Sequence, residues 1–268
     1  VSWNLHVGDC RKYLTDYEGQ ANLILTSPPY DNIRTYGGHG FDWQDGYIQP
    51  IVNALAPGGV LVWVVADQWV DGSLTLTSHA QAQAFRDAGL KVHAVMVFEK
   101  SAQGIMTPTR YRHNWEYMYV FSRGAPAVAN LIKDKPSVYT GAIKRNATGV
   151  GRTNDNITHS NRTYVTADFG VRTSIWYYAV DYGHTGEKDF RKHLHEHPAA
   201  FPIALASDHI RTWTNPGDLV IDPFAGSGTT LRAAENLNRN SVGIEIHPPY
   251  AGLILRRMSQ LSMQLMSN

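Results

Sequence analysis

"LVIDPFAGSGTTLRAAENLNRNSVGIEI", Leu219 to Ile246, is the stretch that decides the fold. A short apolar run at Leu219–Ile221 enters a glycine-bearing turn at Phe224–Gly228. Helix formers then run from Thr229 to Leu237, and a second apolar run, Ser241–Ile246, closes the unit. This order predicts a βαβ unit and therefore a parallel sheet. Gly226 and Gly228 allow close approach of a ligand to the backbone, and a helix opening at Thr229 offers free N–H groups and the positive end of its dipole. Glu245 ends the second strand 17 positions after Gly228, where a carboxylate can accept hydrogen bonds from both hydroxyls of a ribose.

Leu231 occupies the third position of the dinucleotide pattern Gly-x-Gly-x-x-Gly, and the phosphate loop Gly-x-x-x-x-Gly-Lys-Ser/Thr is absent. Nicotinamide and nucleoside triphosphate ligands therefore lose ground. A nucleoside carrying an amino-acid carboxylate, S-adenosylmethionine, fits better.

The N-terminal third also reads as α/β. Strands are expected near Asn4–Val7, Asn22–Leu25 and Val60–Val65, with a helix from Arg11 and another before Pro57. Ala-Pro-Gly-Gly at 56–59 reads as a helix stop and turn. "SHAQAQAFRDAGL" (78–90) predicts a helix with a serine cap and a glycine stop, while "KVHAVMVFEK" and "EYMYVFSRG" predict strands. Residues 125–195 show no clear periodicity and read as an irregular insertion. An amphipathic helix follows within "FPIALASDHIRTW" (201–213).

"LILTSPPYDN" (23–32) runs an apolar strand into two prolines. These fix φ twice and remove two N–H donors, so the carbonyls of Ser27 and Pro28 are left as a rigid acceptor cluster.

At 268 residues and 43% hydrophobic content, the chain is expected to form one catalytic unit with insertions and no independent second domain. No apolar run approaches the roughly 20 residues that span a bilayer, the N-terminal stretch has no leader-like pattern, and the single cysteine, Cys10, suits a reducing compartment. A cytoplasmic protein is expected. The net charge of +1 hides an asymmetry: residues 100–195 hold 14 Lys and Arg against 7 Asp and Glu, and the remainder 10 against 16. In that basic half, aromatic and arginine residues interleave ("TPTRYRHNW", "NRTYVTADFGVRTSIWYY"), as expected where phosphates and bases are contacted.

"VGDC" (7–10), "TSPPY" (26–30), "LAPGGVLVWVV" (55–65), "RHNWEYMYVFSRG" (112–124), "HEHPAAFP" (195–202), "DPFAGSGTT" (222–230) and "GIEIHPPY" (243–250) stand in the order found in one family. The chain resembles the amino-group DNA methyltransferases of the permuted beta arrangement, over most of its length. The resemblance implies a Rossmann-like α/β methyltransferase fold, with a mainly parallel twisted sheet, helices on both faces and a circularly permuted motif order. It divides the chain into a catalytic half (1–124), a target-recognition insertion (125–195) and a cofactor-binding half of the same domain (196–268).

By the same resemblance, Phe224, Gly226, Gly228 and Thr229 surround the methionine part of S-adenosylmethionine, with Glu245 on the ribose and Asp222 also in the cofactor-binding set. Asp9 reads the adenine end, although it also fits a helix N-cap. Phe201 and Pro202 resemble the segment packed under the methionine, or simply a helix start beside a core residue. Ser27, Pro28, Pro29 and Tyr30 form the catalytic segment. Ser27 Oγ and the Pro28 carbonyl would accept the hydrogens of an exocyclic amine, and Tyr30 would stack on an extruded base. Arg145, Arg152, Arg162 and Arg172 are candidate contacts to double-stranded DNA, and a homodimer is left open.

Serine at position 27 favours cytosine N4 over adenine N6, since aspartate is commoner there in adenine enzymes. Methylation at carbon 5 needs a thiolate after a proline, whereas Cys10 follows Asp9 and reads as a small buried residue. Related Pro-Pro-Tyr loops serve RNA bases and glutamine side chains, but usually with the glycine loop first. A non-catalytic DNA-binding regulator on the same scaffold is the rival of another class. His193, His195 and His197 alternate, but they lack a Cys partner or an HExxH helix, so no metal is expected.

Overall fold

The computed structural model describes residues 1–29, 41–101, 108–137, 141–143, 164–179 and 201–265. Tyr30, Arg145, Arg152, Arg162 and the histidines 193, 195 and 197 lie outside the described residues. The chain divides into two compact units, Val1–Asn130 with Ser174–Asn268, and Leu131–Thr173.

In chain order the first unit begins with β1 (Trp3–Val7), α1 (Cys10–Tyr13), a single 3-10 turn, β2 (Ala21–Thr26), α2 (Ile48–Ala54) and β3 (Leu55–Val65). A two-stranded hairpin, β4 (Trp69–Val70) and β5 (Ser73–Leu74), precedes α3 (Thr77–Asp87), β6 (Lys91–Lys100) and β7 (Trp115–Ser122). The second unit holds two small antiparallel pairs. β8 (Lys135–Pro136) pairs with β11 (Phe169–Gly170), and β9 (Gly141–Ile143) with β10 (Tyr164–Thr166). The first unit resumes with β12 (Ile175–Tyr178), α4 (Ile203–Trp213), β13 (Leu219–Asp222), α5 (Thr229–Asn236), β14 (Asn240–Glu245) and α6 (Pro248–Leu265).

Eight strands form one sheet in the order β1-β14-β13-β2-β3-β7-β6-β12. The first five are mutually parallel, β7 is antiparallel to both neighbours, and β12 is parallel to β6. Such a sheet needs cover on both faces, and its central strands are apolar almost throughout. One core cluster joins Cys10, Leu14, Ile51 and Phe85 to Ile24, Trp63, Ile221 and Val242, which places α1, α2 and α3 on one face. A second joins Leu231 of α5 to Ile254 and Met258 of α6, with Trp3 and Leu5 of β1 beside them. Inside the first cluster, the Trp63 indole N–H donates to Gln81 Oε1 at 2.8 Å, so the buried polar edge of the ring is satisfied.

Three sequence expectations change. Ala56–Gly59 is not a turn that precedes a strand but a bulge inside β3: the β2 pairing jumps from Ala21↔Leu55 to Leu23↔Val60. Ser78 does not cap α3. Leu76, at φ 55°, is the cap residue, and the Ser78 backbone N–H and hydroxyl both go to Asp67, at 2.8 and 2.7 Å. Finally, the stretch read as irregular contains β12, which extends the main sheet by pairing Ile175↔Val97 through Tyr178↔Lys100.

Leu231 stands where the dinucleotide pattern has its third glycine, and the fold makes room differently. A Cβ on Gly243 of β14 would lie 2.9 Å from the Leu231 methyls, so the glycine that permits close helix–strand approach sits on the strand instead of the helix.

Candidate functional site

Parallel pairing brings four strand ends into a row. Val7 of β1 lies opposite Glu245 of β14, Asp222 of β13 opposite Gly243, and Ile221 opposite Ile24 of β2. The glycine loop and the Ser27 segment therefore leave the carboxyl ends of adjacent strands, the position where open α/β sheets bind ligands.

Asp222 links them. Its side chain is buried, and its Oδ1 accepts from Thr26 Oγ1 at 2.6 Å and from the Phe224 N–H at 3.1 Å, while Oδ2 accepts from Thr230 Oγ1 at 2.7 Å. Burial pushes its carboxyl up to about 6 against these stabilising bonds. Both oxygens are thus engaged within the protein, and Asp222 acts on the site by holding the residue before Ser27 against the glycine loop. Ser27 and Pro29 are half-buried, and Pro28 is buried.

In the loop, Gly226 and Gly228 have φ of 54° and 77°, and a Cβ at Gly228 would also press on Ile254 at 3.2 Å. The Gly226 N–H donates to Glu245 Oε2 and the His247 N–H to Oε1, each at 2.8 Å. Burial nevertheless pushes the Glu245 carboxyl up to about 7. Each oxygen keeps a second lone pair for a further donor, such as a ribose hydroxyl. Thr229 opens α5, buried, and its Oγ1 accepts from Arg257 Nη1 at 3.1 Å; the same nitrogen donates to the Ser227 carbonyl at 3.1 Å. Phe224 packs edge-on against Phe41 and Trp63.

Asp9 caps α1, accepting from the Arg11 N–H at 2.9 Å, and it also receives the Arg11 guanidinium, Nε to Oδ2 at 2.9 Å. These bonds to Arg11 hold its carboxyl below the usual carboxylate range. The Arg11 guanidinium lies over the Tyr47 ring at 4.6 Å and donates to the Asp45 carbonyl at 2.6 Å. Pro202 is the N-cap residue of α4, its carbonyl accepting from the Ala206 N–H at 3.2 Å, and Phe201 beside it is half-buried. Cys10 is buried, and burial pushes its thiol up to about 12, which removes a thiolate at neutral pH. In the second unit, Arg172 Nε donates to Asp134 Oδ2 at 2.7 Å.

Sequence reasoning missed Thr26, Thr230, Arg11 and Arg257. Thr26 and Thr230 carried a signal, as members of the TSPPY and DPFAGSGTT stretches.

The chain matches the family model described as DNA methylase, N6_N4_Mtase, over residues 21–256. The orphan methyltransferase M.BamHII of Bacillus amyloliquefaciens is 35% identical over 253 residues, 94% of this chain and 91% of that protein. Among solved structures, a putative DNA modification methylase from Thermus thermophilus, complexed with S-adenosyl-L-methionine, aligns at a TM-score of 0.62 and 25% identity over 97% of this chain and 95% of that one. The cytosine-N4-specific PvuII DNA methyltransferase shares the fold at a TM-score of 0.66 and 18% identity, over 95% and 86% of the two chains. With its glycine loop and Ser-Pro-Pro segment on neighbouring parallel strands, this chain belongs to the N6/N4 DNA methylase family, enzymes that take their methyl group from S-adenosylmethionine.

Proposed function

We propose that the protein methylates the N4 amine of cytosine in double-stranded DNA. The observation that carries the methyl-transfer part of this reading is the Thr26–Asp222 hydrogen bond, which ties the residue before Ser27 to the strand that carries the glycine loop; the choice of base rests on position 27 and the family resemblance. The donor set fits the cofactor: Glu245 retains acceptor capacity beside the loop, and Gly226 and Gly228 keep that loop close-fitting. S-adenosylmethionine, when bound, supplies an electrophilic sulfonium methyl. Phe224, Gly226, Gly228 and Thr229 would hold its methionine part, Glu245 its ribose, Asp9 its adenine end, and Phe201 and Pro202 would pack beneath.

An exocyclic amine is a weak nucleophile because its lone pair is delocalised into the ring. Ser27 Oγ and the Pro28 carbonyl accept its two hydrogens, favour the pyramidal nitrogen and direct the lone pair toward the methyl group. The base leaves the duplex to reach them, and Tyr30 stacks on it. Residues 125–195, with Arg145, Arg152, Arg162 and Arg172, read the target, and the protein acts in the cytoplasm. A homodimer, which the sequence leaves open, forms no part of this proposal.

Serine at position 27, commoner in the cytosine N4 enzymes of the family than in the adenine N6 enzymes, supports cytosine over adenine. The test is to incubate the protein with unmethylated plasmid DNA and S-adenosylmethionine, digest the DNA to nucleosides and identify the modified one by mass. N4-methylcytosine is expected. N6-methyladenine alone would overturn the base assignment, and no methylated nucleoside would favour the non-catalytic regulator.

Glu245 also predicts a pH dependence. Ribose hydroxyls bind best to the ionised carboxylate, and this carboxyl is pushed up to about 7. Protonation competes with binding as pH falls, so affinity should drop from pH 8 to pH 6, approaching about tenfold per unit below the carboxyl's own pKa. Calorimetric titration across that range checks it, and a flat profile would exclude Glu245 as the ribose acceptor.

A further inference from the structure

Where β2 ends, the neighbouring ladder continues. The β2–β3 register closes at Thr26↔Trp63, while β3 and β7 stay paired to Val65↔Tyr117. The segments after β3 and before β7 therefore rise past the carboxyl edge on which Ser27 stands. They meet there: the Arg110 guanidinium lies over the Trp69 ring, 4.0 Å from its centroid.

Trp69 belongs to the β4–β5 hairpin, whose turn, Asp71-Gly72, has positive φ at both positions (48° and 80°), the geometry suited to a tight two-residue hairpin. The Thr75 N–H donates to the Gln68 carbonyl at 2.9 Å, closing its base, and Asp67 fastens that base to the start of α3 through Ser78. This well-held element presents apolar surface to solvent. Trp69 and Val70 are 45% and 51% exposed, and Tyr111, next to Arg110, is 102% exposed. Arg110 and Arg112 are exposed as well.

We propose that Arg110, Tyr111 and Trp69 form a DNA contact outside residues 125–195, on the rim of the catalytic edge. The proposal rests on the DNA methylase reading. A guanidinium held over an aromatic ring can engage that ring through its face and still use its in-plane N–H donors on a phosphate oxygen. Tyr111 supplies an exposed ring. A base drawn out of the stack leaves its neighbours with an uncovered face, and an aromatic side chain on the rim of the site covers such a face whatever the sequence.

The test uses Arg110→Ala, Tyr111→Ala and Tyr111→Phe in the full chain, with calorimetric S-adenosylmethionine binding to verify folding. Anisotropy of a fluorescein-labelled random-sequence duplex is followed across salt concentrations, and methyl transfer is measured on unmethylated plasmid. Arg110→Ala should reduce the slope of log affinity against log salt by about 0.9, the loss of one phosphate contact. Tyr111→Ala should leave that slope unchanged and lower kcat/KM for DNA about tenfold, the loss of one stacked base, with Tyr111→Phe restoring it. Wild-type transfer together with unaffected variants overturns this contact alone. A wild-type protein that binds no duplex overturns the DNA reading on which it stands.

Discussion

Glu245→Ala is expected to weaken S-adenosylmethionine binding at least tenfold. Two hydroxyl donors lose a charged acceptor, and each such bond is worth about 1.5–3 kcal/mol. The Gly226 and His247 N–H groups lose theirs too, so the loop that shapes the pocket loosens. Stability should change far less than affinity. With its carboxyl pushed up to about 7, ionised Glu245 disfavours folding at pH 8, and its removal relieves that penalty while the two backbone bonds are lost. Calorimetric binding beside a melting curve separates the two effects. Unchanged affinity would take Glu245 out of the cofactor site.

Ser27→Ala should lower kcat about 100-fold while leaving cofactor affinity near the wild-type value, because the lost acceptor acts on the amine in the transition state. Thr26→Val tests how the two loops are held together. It removes the 2.6 Å hydrogen bond to Asp222 while keeping side-chain volume, and it should cost about tenfold in kcat through misplacement of the acceptors relative to the methyl donor. Thr26→Ser, which retains the hydroxyl, should recover most of the rate. A Thr26→Val enzyme with wild-type kcat would make the Asp222 link structural only.

The βαβ unit at Leu219–Glu245 and the strand leading into Ser27 were legible because their determinants are local: apolar runs of strand length, glycines at a turn, helix formers between them. β13 pairs with β2, which sets the two segments side by side. What sequence could not supply depends on distant partners. Ser78 looks like a cap until Asp67, 11 residues earlier, takes both its donors. The bulge at Ala56–Gly59 arises from the register that β2 imposes on β3. β12 has four residues and becomes a strand only because β6 offers an edge. Leu231 correctly argued against a dinucleotide site, but its compensation by Gly243 is visible only where helix and strand touch. In the site itself, Asp222 and Glu245 stand out in the sequence as acids at the ends of apolar strands, whereas Arg11 and Arg257 do not, since an arginine in a helix carries no mark of the loop it braces.

The sheet order has a consequence for how the chain is made. β1 and β2 are not neighbours: β14 and β13 lie between them, and Thr26 meets Asp222 across 196 residues. As the polypeptide leaves the ribosome, β1 has no partner in this sheet until β14 has emerged, and the β2 edge that faces β13 stays open until β13 follows. Closing such separations late is slow and exposes apolar edges meanwhile. The segment that carries β13 and β14, residues 219–245, is therefore the step that completes both sheet and active centre, and a chain ending before Asn240 leaves β1 without its sheet neighbour.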